Sequence, residues 1–89
     1  MSYEILLTNE AIRDLRKLDG DTEKRIIKKL KDLAEYPEHY GKPLKGPQDL
    51  WVLKVGRSDW RIIFKIRRDE NKIVIITIGH RRNIYDDFP

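Results

Sequence analysis

The chain has 89 residues, 39% apolar and 38% charged, with a formal net charge of +4 and no cysteine. That length suits one domain, 1–89, burying about 60–65% of the surface its unfolded chain would expose, and leaves no room for a second. Without cysteine there is neither a disulfide framework nor a thiolate metal site. No apolar run approaches the roughly 18 residues of a membrane span, and the N-terminus MSYEILLTNEAI lacks the basic flank of a signal peptide; a soluble cytoplasmic protein is expected.

Tyr3 to Thr8 reads as a short first strand that ends at residues able to cap a helix. From Glu10, the apolar residues Ala11, Ile12, Leu15 and Leu18 fall at helical spacing until Asp19-Gly20-Asp21 interrupts them with turn chemistry and a fresh cap. A second helix follows, with Ile26, Ile27, Leu30, Leu33 and Ala34 on one stripe and the lysines largely elsewhere, stopping before Pro37. So short a connection predicts an antiparallel helix hairpin with one shared apolar side. Residues 37–49, PEHYGKPLKGPQD, predict an irregular connection. Leu50–Val55, Trp60–Ile66 and Lys72–Ile78 are then three β-rich runs separated by turn segments, an antiparallel meander. The order argues an α+β fold, with helices packed on one sheet face and the other face open.

Residues 1–43 hold nine Lys or Arg and nine Asp or Glu, whereas 44–89 hold ten and six, so the basic excess lies in the second half, where a polyanion would bind. Side chains alternate across a strand, so parity sorts these charges. Trp60, Ile62, Phe64 and Ile66 form a set for the helix side, leaving Arg61, Ile63, Lys65 and Arg67 opposite; Lys54 is expected to share that open face with Arg61. In the last strand Val74, Ile76 and Ile78 make the better core set, and the opposite parity runs Ile75, Thr77, Gly79 and on to Arg81. Three converging cations serve either to solubilise the face or to hold an anion, and both readings stay open on parity alone. Ile63 and Ile75 add an apolar component that a partner would cover. His39 and His80 each stand alone by spacing, Asp86 and Asp87 are adjacent rather than at ligand spacing, and no glycine-rich phosphate loop is present, so neither metal nor cofactor nor small-molecule ligand is expected.

The segments LWVLKVGRSDWRIIFKI and VIITIGHRRNIYDDF resemble the RelE/ParE toxin superfamily. The most specific parts are Trp51-Val52-Leu53-Lys54-Val55-Gly56, the pair Trp60-Arg61, and Gly79 to Tyr85, and the match covers essentially the whole chain. The resemblance implies a RelE-like fold and a cognate antitoxin. For RelE-type members it implies cleavage of messenger RNA on the ribosome without a cofactor; ParE-type members share the fold and poison DNA gyrase, and a degenerate, non-toxic member would only bind antitoxin or RNA. Residue by residue, it places the cleaving set on Lys54, Arg61, Arg81 and Tyr85. Val52 departs from the pattern, because RelE-type enzymes carry a second lysine at that position, and the spacing from Arg81 to Tyr85 is shorter than theirs. Lys65 or Arg82 are candidates to make up the difference.

Such a site needs no metal, because RNA carries its own nucleophile in the ribose 2′-OH. Arg61 and Arg81 suit charge stabilisation through bidentate hydrogen bonds to phosphate. Lys54 is assigned proton transfer, and Tyr85 either base stacking or proton exchange, although it suits equally a place at the core edge with Ile84 and Phe88. Lys28 and Lys31 on the second helix are candidate contacts to ribosomal RNA or simply a solvated face. Ile84 and Phe88 are candidate antitoxin contacts.

Overall fold

A computed structural model describes residues 2–44, 46, 49–56, 59–82 and 84. Strand β1 (Glu4–Leu7) leads into α1 (Asn9–Arg16) and α2 (Gly20–Glu35). The short helix α3 (Pro37–Tyr40) and the two-residue strand β2 (Lys42–Pro43) follow, then β3 (Trp51–Val55), β4 (Trp60–Arg67) and β5 (Lys72–His80). Caps set the helix starts. The Thr8 hydroxyl accepts from the Ala11 N–H at 3.1 Å and the Asp19 carboxylate from the Thr22 N–H at 2.8 Å, each satisfying a donor with no partner inside its helix.

The Thr22 bond also has a pH signature, because the backbone N–H beside Asp19 holds its carboxyl below the usual carboxylate range. A lowered folded-state pKa means stability that is present above the ordinary carboxylate value and lost as pH falls through the folded one. Asp19→Asn keeps an acceptor that does not titrate. Wild type is therefore expected to melt above Asp19→Asn at neutral pH, and the gap to close in acid; melting curves across the acid range check this.

The sheet order is β1-β5-β4-β3-β2, with β3, β4 and β5 forming the expected meander. β1 lies parallel to β5, Glu4 opposite Lys72. Beyond Leu7, opposite Ile75, β5 has no further β1 partner, and α1 takes over: the Thr8 hydroxyl donates to the Ile76 carbonyl at 2.7 Å, and Asp14 accepts from the Ile78 N–H at 3.0 Å and the Thr77 hydroxyl at 2.8 Å. The main core joins Ala11, Ile26, Leu30 and Leu33 of the helices to Leu53, Val55, Ile62, Phe64, Ile73, Ile75 and Ile78 of the sheet.

Three sequence expectations are corrected. The connection 37–49 is not wholly irregular, since it contains α3 and β2. Parity along β5 is reset by a bulge: Ile63 pairs with Thr77 but Phe64 pairs with Ile75, so Ile76 is the extra residue. The helix-side set of β5 is consequently Ile73, Ile75 and Ile78 rather than Val74, Ile76 and Ile78, and Ile75 is fully buried on the side opposite to that expected. Finally, the face away from the helices is covered in part by the chain itself. Leu50, Val52, Ile63 and Ile84 form a second buried cluster there, with Leu44 and Ile76 against it, so Ile63 needs no partner molecule to leave water.

Candidate functional site

The remaining part of this face, toward the C-terminal end of β5, carries the charges. Lys54 stands directly opposite Arg61, and Arg61 opposite Gly79, so one row crosses the three neighbouring strands. Residues opposite one another in an antiparallel pair share a face, with strands about 4.8 Å apart. Lys54 is exposed. Arg61 is only 7% exposed, and its Nη1 donates to the Trp60 carbonyl at 3.2 Å, so the guanidinium lies along the sheet rather than free in solvent. Arg81 follows β5 directly, and its N–H donates to the Asp59 carbonyl at 2.8 Å. This bond carries the ladder one step past the His80–Trp60 pair and makes Arg81 a diagonal neighbour of Arg61, roughly 7–8 Å between Cα atoms.

Ile84 packs over Gly79, where a Cβ would lie 3.4 Å from it in ordinary contact, and belongs to one cluster with Leu50, Val52 and Ile63. The candidate antitoxin contact Ile84 is thus buried at 5% exposure. Tyr85 and Phe88 lie outside the described residues.

The other candidates are more dispersed. Lys65 sits four residues along β4 from Arg61, about 13 Å at strand rise, with the buried Ile63 between them. Arg82 is exposed in the turn after β5, its N–H donating to His80 Nδ1 at 3.3 Å. Lys28 and Lys31 are exposed on α2, in the helix layer across the sheet from Lys54. His80 packs edge-on against Trp60, ring centroids 5.6 Å apart, and His39 against Tyr40 at 4.8 Å. Among the described residues, no group of three His, Cys, Asp or Glu is placed to hold a metal ion.

Two residues that sequence patterning passes over also reach this face. A groove of about 100 Å³ beside Lys54 is lined by Tyr40, Lys42, Val52 and Lys54. Lys42 belongs to a strand too short to show any alternation, and only the Gly41-Lys42-Pro43 composition marks a break there.

The arrangement provides a planar, held guanidinium flanked by an amine and a second arginine, with no carboxylate in the row among the described residues. Chemically, guanidinium and amine groups so arranged can donate hydrogen bonds to the oxygens of a phosphodiester.

Comparison with known proteins bears on the family and the fold. Residues 5–85 match the model of the family described as the ParE toxin of the type II toxin–antitoxin system parDE. The toxin RelG of Mycobacterium tuberculosis is 29% identical over 86 residues, covering 96% of this chain and 98% of that protein. The mRNA interferase toxin RelE of Escherichia coli K12 is 25% identical over 81 residues, covering 91% of this chain and 85% of that protein. Among solved structures, the toxin–antitoxin complex RelBE2 of M. tuberculosis superimposes with a TM-score of 0.80 at 26% identity, over 91% of this chain and 100% of that one. A family match spanning nearly the whole sequence, on a fold shared with these toxins, makes the chain a member of the RelE/ParE superfamily of type II toxin–antitoxin toxins.

Proposed function

We propose that the protein is an endoribonuclease that cuts messenger RNA on the ribosome by 2′-OH attack. The observation that carries this reading is the cross-strand row of Lys54 and Arg61 with Arg81 at its end. In the reaction the ribose 2′-oxygen forms a bond to the adjacent phosphorus while the bond from phosphorus to the 5′-oxygen breaks, leaving a 2′,3′-cyclic phosphate and a 5′-hydroxyl. The 2′-OH proton passes to a base, for which Lys54 is the described candidate, and the departing 5′-oxygen gains a proton, for which Tyr85 is the candidate. Arg61 and Arg81 donate to the non-bridging oxygens as their charge grows. No metal enters this scheme.

A cytoplasmic single-domain toxin of this kind is held silent by an antitoxin, as the toxin–antitoxin complex among its structural relatives supports. Ile84 and Phe88 are the candidate contacts, and because Ile84 is buried with Leu50, Val52 and Ile63, an antitoxin that grips it must first draw it out of that cluster. A second reading, gyrase inhibition, is favoured by the description of the matching family and by Val52, which leaves the strand with one lysine where RelE-type enzymes have two.

Primer extension on messenger RNA bound to translating ribosomes separates the two. Wild type is expected to produce discrete cleavages and Arg81→Ala to lose them by about 100-fold or more, the usual scale for removing one oxyanion donor. No cleavage by wild type, together with gyrase-dependent DNA breaks, would move the assignment to the second reading.

A further inference from the structure

We propose that Lys42, on the edge strand β2, is a further phosphate-contacting residue of the RNA site, acting with Lys54 across the groove between β2 and β3. The inference rests on the RNA-cleavage reading above. Position 52 is committed to packing: Val52 is 5% exposed within the cluster of Leu50, Ile63 and Ile84, and a charged group buried there would lack a partner. The residue directly opposite Val52 is Lys42. Directly opposed residues share a face, and Val52 shares its face with Lys54 two positions on, so both amines emerge on the same side of the sheet.

Local sequence enforces this orientation. A Cβ at Gly41 would run into the Phe64 ring and approach the Pro37 carbonyl at 2.9 Å, so Gly41 faces the main core and Lys42, the next residue, faces away from it. Pro43 then ends the strand opposite Trp51, without an N–H to donate. The groove that results is lined by Lys42 and Lys54 on a floor of Val52, with the partly exposed Tyr40 ring beside them. Among the described residues, neither lysine has an ion pair and no carboxylate lines the groove. The two lysine side chains stand beside an aromatic ring, and a single strand of RNA offers both a phosphate for their N–H donors and a base for the ring. The bound strand therefore runs from the Arg61–Arg81 end of the row across Lys54 toward β2.

The test is single-turnover cleavage of messenger RNA on programmed ribosomes by wild type, Lys42→Gln, Lys42→Arg and Lys17→Gln, with melting curves for all four. Lys17 is exposed at the end of α1, in the helix layer. Lys42→Gln is expected to cut about tenfold more slowly, the scale of one hydrogen bond to a charged group, with an unchanged melting temperature. Lys42→Arg should restore most of the rate, and Lys17→Gln should match wild type. The rate of Lys42→Gln should also fall less steeply with added KCl than that of wild type, because one fewer phosphate contact is being screened. Wild-type cleavage that Lys42→Gln reproduces in full would overturn the assignment of Lys42 alone. Absence of cleavage by wild type would overturn the RNA-cleavage reading, and Lys42 with it.

Discussion

Phe64→Ala should cost about 3–5 kcal/mol of folding stability, a large part of the roughly 5–15 kcal/mol that holds a small domain together. Phe64 is fully buried in β4, with β3 on one side and β5 on the other. Its ring stacks on Trp51, centroids 6.3 Å apart and planes 28° from parallel, and the backbone of Gly41 closes over its far end. Removing the ring leaves a void bordered by strands that are hydrogen-bonded on both sides and hence poorly able to collapse. Gly41→Ala should be destabilising for the converse reason, by about 1–3 kcal/mol, since its methyl would overlap the same ring. The two substitutions compete for one space, so the double variant should lose less than the sum of the singles. Denaturant midpoints for the four proteins form the cycle, and strict additivity would show that Gly41 and Phe64 do not share that space.

Arg61→Lys is expected to reduce messenger RNA cleavage by about 100- to 1,000-fold while leaving the net charge as it was. The physical difference lies in geometry. The guanidinium is nearly buried and held in place, its bond to the Trp60 carbonyl among its contacts, whereas a lysine at this site brings a flexible point charge that has no such anchor. Primer extension for rate and a thermal melt for folding test the claim together. A folded Arg61→Lys protein cutting at the wild-type rate would mean that charge alone suffices at this position.

Strand parity located the Lys54–Arg61 pair because β3 and β4 pair without interruption and each apolar set is unambiguous: Trp60, Ile62, Phe64 and Ile66 on one side, Arg61 and Lys65 on the other. The same logic misplaced the first half of β5. Its run from Ile73 to Ile78 is apolar at nearly every position, so no polar residue marks the bulge at Ile76 where alternation resets. The second cluster was illegible for another reason. It depends on the return of Leu44, Leu50 and Ile84 over the sheet, contacts that no local period announces. Lys42 stayed hidden because a two-residue strand between a glycine and a proline has no pattern to read.

The parallel pairing of β1 with β5 has a consequence for how the protein comes into being. Glu4 finds its strand partner at Lys72, and the charged row needs β3, β4 and the last turns of β5 side by side. During synthesis the first strand must wait, unpaired, until β5 has emerged, and closing so long a loop is also slow. The charged row therefore forms only once β5 is in place, and until β1 docks beside it the edge of β5 and the apolar side of the helices stay open to a partner already present.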